Sequence, residues 1–145
     1  IQVKYLENYS DDWDEMRIAK EGDACFDIRA AISEPIYLYP GKSVVVPNGF
    51  AVDVGEGREM QIRSRSGMAA KDQVFVINSP GTVDSSYRGE VKTPLINLGT
   101  RVKKIFPGDR IAQAAVKESR EVQINRALAL TDSERGDGGF GHTGQ

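Results

Sequence analysis

Asp84 lies where a carboxylate could handle a proton, inside the stretch Ile77-Asn78-Ser79-Pro80-Gly81-Thr82-Val83-Asp84-Ser85-Ser86-Tyr87-Arg88-Gly89-Glu90-Val91. Apolar runs flank it, Val74 to Ile77 and Val91 to Leu98, while Pro80-Gly81 and Arg88-Gly89 break the strand pattern between them, which predicts a hairpin. An Asp held at such a bend can accept a proton from water. The neighbouring Tyr87 ring can stack on or exclude a sugar, and backbone groups freed from a ladder can read the edge of a base.

Three further places carry polar groups in suggestive company. Glu59 to Arg65 alternates like a strand and runs through Ser66-Gly67 into Met68-Ala69-Ala70, so a guanidinium, a hydroxyl and exposed backbone N–H groups meet at one corner. That geometry suits phosphate oxygens; the plainer alternative is a charged strand end with a turn. Asp27 lies opposite Phe26 and Ile28 on a short strand after Gly22-Asp23, where it could approach a metal's water shell or simply form a solvated face. Gln113 falls in the apolar run Ile111 to Val116, as a satisfied core amide or as a ligand contact.

The end of the chain differs in kind. Arg135 to Gln145 holds five Gly, whose ordering costs more backbone entropy than other residues would. Two accounts fit: an unstructured tail, or a flap in which Phe140 stacks on a flat ring while Arg135 and backbone N–H groups close over phosphates. Gly136, Gly138 and Gly141 match the letters of a dinucleotide fingerprint, but no βαβ unit surrounds them. His142, the single histidine, has no identifiable partner for catalysis.

The elements that must position these groups are short and β-rich. Ile1 to Leu6 alternates as a first strand, and Ser10 to Lys20 reads as a short helix or turn, with Asp12 and Glu15 spaced like a capping box. Ile36 to Tyr39, Ser43 to Val46 and Phe50 to Val54 are strands punctuated by Pro40-Gly41, Pro47-Asn48-Gly49 and Gly55-Glu56-Gly57. Val102 to Phe106 and Ile111 to Val116 continue the sheet, and Glu121 to Leu130 is predicted to be a last strand region. Turns this frequent, with no long helical period, point to an all-β sandwich or barrel: one core domain over 1–130 and a flexible Gly-rich arm over 131–145.

Composition narrows the partners. A formal charge of −2 supplies no general basic field for a nucleic-acid backbone. Positive charge is instead local, at Arg63, Arg65, Arg88, Arg110 and Arg135. The lone Cys25 rules out an internal disulfide and a cysteine zinc cluster. With no long apolar run and no signal-peptide pattern, the chain is expected to be soluble and cytoplasmic, without a membrane partner.

Five ordered stretches give the chain its resemblance to the trimeric deoxyuridine triphosphatases, the dUTPases. They are Asp23 to Ala30, Arg65-Ser66-Gly67-Met68-Ala69, Asn78 to Val91, Gly108-Asp109-Arg110-Ile111-Ala112-Gln113, and Arg135 to Gly144. The resemblance implies a jelly-roll subunit working as a homotrimer, with active sites shared between chains and the C-terminal arm closing over a neighbour's site. Asp84 then matches the carboxylate that activates water, and Tyr87 the ring that packs under deoxyribose and excludes a 2′-hydroxyl. Asn78 with the hairpin backbone at Gly81 and Val83 matches the uracil reader; Arg65, Ser66, Gly67 and Gln113 match phosphate contacts. Arg135, Gly138, Phe140 and Gly141 match the closing arm. Asp27 matches an acid that meets Mg²⁺ through metal-bound water, with no direct protein ligand to the ion.

The implied reaction is Mg²⁺-assisted attack of water on the α-phosphorus of dUTP, giving dUMP and pyrophosphate. Alternatives of other kinds are a dCTP deaminase-like enzyme of the same fold, for which Glu90 is the nearest acid, a non-catalytic regulatory binding module, and a nucleic-acid-binding barrel. Cys25, Phe26 and Ser86 depart from the family pattern, and the segment Tyr9 to Lys20 has no counterpart with a role.

Overall fold

The alternating runs become strands: the computed structural model describes residues 1–138, and among these it holds eleven strands and one wide helical turn, Met68–Asp72. The strands are β1 (Gln2–Tyr5), β2 (Phe26–Arg29), β3 (Ile36–Leu38), β4 (Ser43–Pro47), β5 (Phe50–Asp53) and β6 (Arg58–Arg63). They continue as β7 (Val74–Val76), β8 (Gly81–Val83), β9 (Lys92–Asn97), β10 (Lys103–Ile105) and β11 (Arg110–Glu118). Two antiparallel sheets, ordered β2-β11-β6-β8 and β4-β9-β7, are flanked by the ribbons β1-β5 and β3-β10.

Inward residues of both sheets share one core. Ile28, Met60 and Ile111 from the first sheet join Val46, Val74 and Leu95 from the second in a single buried cluster. Each such side chain contributes about 1.5–3 kcal/mol relative to exposure, which is how a chain of short strands holds together. The expected all-β, jelly-roll-like architecture is what the chain adopts.

Buried polar groups stitch the ribbons to the sheets. Thr93 Oγ1 donates to Asn48 Oδ1 at 2.9 Å, and Asn48 Nδ2 donates to the Arg29 carbonyl at 2.9 Å. Asn97 Nδ2 donates to the carbonyls of Leu38 and Arg101, both at 2.8 Å. Among the described residues no buried side-chain nitrogen or oxygen lacks a partner, so these amides do not leave the desolvation cost of an orphaned group.

Two expectations need correction. The runs flanking Asp84 do pair, Val74 with Asn97 and Val76 with Leu95, but the chain between them is no simple hairpin. It crosses to the other sheet, where β8 lies beside β6 with Met60 opposite Val83 and Ile62 opposite Gly81. The last strand region expected over Glu121 to Leu130 does not form: β11 ends at Glu118, and from Ser119 to Gly138 there is no strand. Val122, Ile124, Leu128 and Leu130 are 75%, 94%, 100% and 89% exposed, so nothing in the described subunit gives that stretch a ladder or a core to join.

Ser10 to Lys20 takes the turn rather than the helix. Trp13 N donates to the Ser10 carbonyl at 3.1 Å, and the segment is pinned by stacked rings, Tyr5 on Tyr9 at 4.3 Å and Tyr9 edge-on to Trp13 at 5.2 Å. Trp13 in turn packs on Gly108, where a Cβ would stand 2.7 Å from its Nε1. Among the described residues no helix is long and apolar enough to cross a membrane.

Candidate functional site

A bulge in β11 builds the first cluster. The register runs Gln113 opposite Asp27 and Ala112 opposite Ile28, then shifts so that Arg110, not Ile111, stands opposite Arg29. That one extra residue carries Arg110 onto the outward face shared by Asp27 and Gln113 while Ile111 stays buried. Arg110 Nη1 donates to Asp27 Oδ2 at 3.0 Å, and Arg65 Nε donates to Asp27 Oδ1 at 2.9 Å. Arg65 Nη1 also donates to the Arg110 carbonyl at 2.9 Å.

Gln113 is half-buried, with its Nε2 donating to the Ser64 carbonyl at 3.0 Å. It is a satisfied amide at the sheet surface, beside the corner where β6 ends. Ser64 Oγ accepts the Val76 N–H at 2.9 Å, tying that corner to β7. Ser66 and Gly67 follow, both exposed, and Gly67 has ordinary helical angles, φ −63 and ψ −44. A Cβ at Gly67 would meet nothing within 4 Å. Beside them opens a cleft of about 330 Å³ walled by Arg65, Lys71, Lys103 and Arg110 over Met68. Four cations there face Asp72 and Asp109, and Lys103 Nζ is 2.6 Å from Asp72 Oδ2.

The residues 9–19 form the opposite wall of this corner, across a cleft of about 210 Å³ that reaches Asp27 and Gln113. Tyr9 stands in that wall with its hydroxyl donating to the Asp14 carbonyl at 2.8 Å. Burial, with a smaller contribution from neighbouring Tyr5, pushes the Tyr9 phenol above its ordinary range.

The second cluster is the crossing strand β8. As the edge of its sheet it has no partner strand on its outer side among the described residues, which leaves backbone N–H and C=O groups of that edge for other partners. Asn78 packs over its start: a Cβ on Gly81 would lie 3.1 Å from Asn78 Nδ2 and 3.3 Å from Oδ1, so glycine there gives the amide its seat. Gly81 and Val83 turn inward and Asp84 is exposed just beyond. Asp84, Tyr87, Glu90 and Lys92 border a cleft of about 290 Å³. Tyr87 N donates to the Asp84 carbonyl at 3.1 Å, and Arg88 pairs with Asp53 at 3.0 Å, closing the bend.

One subunit therefore gathers the expected residues into two groups, not one. Asp27, Arg65, Ser66, Gly67 and Gln113 share the corner beyond the C-terminal end of β6, whereas Asp84 lies level with Glu59 near the other end. Glu59 and Arg63 are four strand positions apart, about 13 Å at the usual rise. Arg135 lies in a local turn, Nε donating to the Gly138 carbonyl at 2.8 Å, and is not brought to either group. Phe140 and Gly141 lie outside the described residues. Sequence reasoning passed over Asn8 and Ser64; neither has a spacing or neighbour that marks it, and only the packing reveals what they hold.

No group of three His, Cys, Asp or Glu side chains able to hold a metal occurs among the described residues. Asp27 nevertheless suits an outer-shell role. Each of its oxygens accepts one guanidinium hydrogen bond and keeps further acceptor capacity, with the side chain about one-third exposed.

The dUTPase family model matches residues 11–144. The chain belongs to the dUTPase family. A deoxyuridine 5′-triphosphate nucleotidohydrolase of Chlamydia muridarum is 48% identical over 128 residues, 88% of each chain. One from Bdellovibrio bacteriovorus is 40% identical over 145 residues, all of this chain and 96% of that one. The dUTPase of Staphylococcus bacteriophage 80alpha, solved with dUPNHPP, superposes with a TM-score of 0.87 at 24% identity, covering 99% of this chain and 98% of that one. That match shows a shared fold.

Proposed function

We propose that this chain hydrolyses dUTP to dUMP and pyrophosphate, by water attacking the α-phosphorus with Asp84 as general base. The observation that carries this reading is the outer edge of β8, unpaired among the described residues, which leads from the Asn78 amide directly to an exposed carboxylate and a tyrosine ring. A uracil carries donors and acceptors along one edge, so backbone groups at Gly81 and Val83 with the Asn78 amide can pair with it. A cytosine presents its 4-amino group where uracil presents an acceptor, and the mismatch disfavours it. The sugar then falls against Tyr87 and the α-phosphate near Asp84.

The triphosphate tail belongs to the other cluster: Arg65 and the Ser66–Gly67 backbone, with Gln113 beside them. Gly67, the cap of the helical turn, meets no neighbour among the described residues that would require its smallness. Its smallness is accounted for by a body from outside, such as a phosphate oxygen approaching the backbone. Arg65 arrives already oriented by Asp27, so less freedom is lost when it takes up charge on the leaving pyrophosphate. Mg²⁺ is proposed to accompany the phosphates, where it neutralises charge, with Asp27 facing its water shell.

Because Asp84 and the Arg65–Ser66 corner stand toward opposite ends of β6, a homotrimer that sets one chain's Asp84 beside another's Ser66 is proposed. The exposed Val122, Ile124, Leu128 and Leu130 support it, since apolar side chains of an extended arm gain by packing on a neighbouring copy. The arm then brings Arg135, Gly138, Phe140 and Gly141 over a neighbour's site. The free Cys25 is in keeping with a reducing, cytoplasmic setting. A deaminase is disfavoured by Glu90, whose carboxylate already accepts the Gly49 N–H at 3.1 Å and the Asn8 amide at 2.8 Å.

Pyrophosphate release measured across the deoxynucleoside triphosphates with Mg²⁺ tests the reading. Release from dUTP alone is expected; ammonia release from dCTP, or no turnover at all, would replace it.

A further inference from the structure

Behind the Tyr87 ring stands a side chain to which the reaction gives no part. Glu90 Oε1 accepts two hydrogen bonds, from Asn8 Nδ2 at 2.8 Å and from the Gly49 N–H at 3.1 Å. Asn8 Nδ2 also donates to the Ala31 carbonyl at 3.2 Å, so the amide bridges the bend between β8 and β9 and the loop after β2. The Gly49 donor is fixed as well: its φ is +72, and a Cβ there would stand 2.8 Å from the Ala31 Cβ. The Glu90 side chain is 21% exposed, while Lys92 Nζ lies 3.9 Å from its other oxygen and is half exposed.

The backbone of the same residue holds the ring. Tyr87 Oη donates to the Glu90 carbonyl at 2.9 Å. The ring lies over Gly89, where a Cβ would be 2.5 Å from Oη and 2.7 Å from Cζ. Asn8, Gly49, Glu90 and Tyr87 thus form one chain of contacts from the segment after β1 to the ring. A ring can exclude a hydroxyl only if it is held within less than that hydroxyl's own size, and this ring stands on an exposed bend whose own contacts, to Gly89 and the Glu90 carbonyl, are only as fixed as Glu90 itself.

We propose that Glu90, anchored by Asn8 and Gly49, is a positioning residue that fixes Tyr87 and thereby sets the discrimination between deoxyribose and ribose. The inference rests on the reading of Tyr87 as the ring beneath the sugar. It gives the segment after β1, which lies outside the family's five stretches, a part in specificity: Asn8 touches no substrate and acts through Glu90.

The test compares kcat/KM for dUTP and UTP in the full-length protein and in Asn8→Ala, Glu90→Ala and Glu90→Gln. Losing the anchoring hydrogen bonds to Glu90 Oε1, one of them in Asn8→Ala and both in Glu90→Ala, is expected to lower the dUTP-to-UTP ratio by about threefold to tenfold, chiefly by raising turnover of UTP. Glu90→Gln keeps an accepting oxygen and is expected to stay within about twofold of the parent. Should Glu90→Ala fail to fold, Asn8→Ala, at an exposed position, carries the test. A parent that selects dUTP, with folded alanine variants of unchanged ratio, overturns the tether alone. A parent that does not hydrolyse dUTP overturns the functional reading and the tether with it.

Discussion

Asp84 and Arg65 face different ends of the same strand: Asp84 follows Val83, the partner of Met60 near the start of β6, and Arg65 lies two residues beyond Arg63 at its close. On the proposed reading, a second chain brings the base at one end beside the phosphates held at the other. Chains carrying Asp84→Asn and chains carrying Arg65→Ala are each expected to be inactive, yet trimers reassembled from an equal mixture should recover about a quarter of the parent activity. That fraction is the chance that a site draws intact Asp84 and intact Arg65 from the two kinds of chain. No recovery, with mixed assembly verified by mass, would place each site within a single chain.

Asp84→Asn keeps the size of the side chain and removes its basicity. Turnover of dUTP is expected to fall by about 10²- to 10⁴-fold while nucleotide affinity stays within a few fold, read from steady-state kinetics and equilibrium binding. Because Asp84 is exposed and makes no ion pair among the described residues, the melting temperature should barely move.

Asp27→Asn acts on orientation. It leaves Arg65 and Arg110 converging on a neutral amide that cannot serve both as an anion. kcat/KM for dUTP is expected to drop by about tenfold to hundredfold through a mispositioned Arg65. The ion pairs are partly exposed, so the stability cost should stay below about 1 kcal/mol. Unchanged kcat/KM would show that Arg65 needs no such anchor.

Tyr9 makes stability sensitive to alkali. Its phenol is held above the ordinary value, which means the fold favours the neutral form. That contribution is fully present below the unfolded value of about 10 and is lost as pH rises through the folded one. Tyr9→Phe should cost about 1 kcal/mol at neutral pH for the lost hydrogen bond to the Asp14 carbonyl, and should flatten the decline above pH 10. Denaturant melts from pH 7 to 11 measure both effects; coincident curves for parent and variant would contradict both, and parallel, offset curves would contradict the second.

Gly108→Ala probes how the N-terminal segment is seated. At φ +81 any side chain is strained, and its Cβ would lie 2.7 Å from Trp13 Nε1. A loss of about 1–3 kcal/mol is expected, with a shift in the emission of Trp13, the single tryptophan. An unaltered spectrum would mean that the indole packs elsewhere.

Strand character, and most of the groups assigned to chemistry, were legible in the chain itself. Alternation at Glu59 to Arg65 and turn residues at Pro40-Gly41 or Pro47-Asn48-Gly49 are local properties, and a side-chain period of two follows from the pleat whatever the surroundings. The five ordered stretches likewise carry the family's pattern in the chain itself. Glu121 to Leu130 misled because its apolar residues alternate as they would in a strand, yet a strand needs a neighbour, and the described subunit offers none.

Partnership between distant residues was decided only by the tertiary structure. The bulge that turns Arg110 toward Asp27 depends on how β11 registers against β2, 83 residues away along the chain. The crossing of β8 to the sheet of β6, and the joining of Asn8 to Glu90, likewise depend on which surfaces the core brings face to face. A sequence specifies the donors and acceptors each residue carries. Which of them meet is settled by the closing of loops and the burial of apolar faces, forces that act on the whole chain at once.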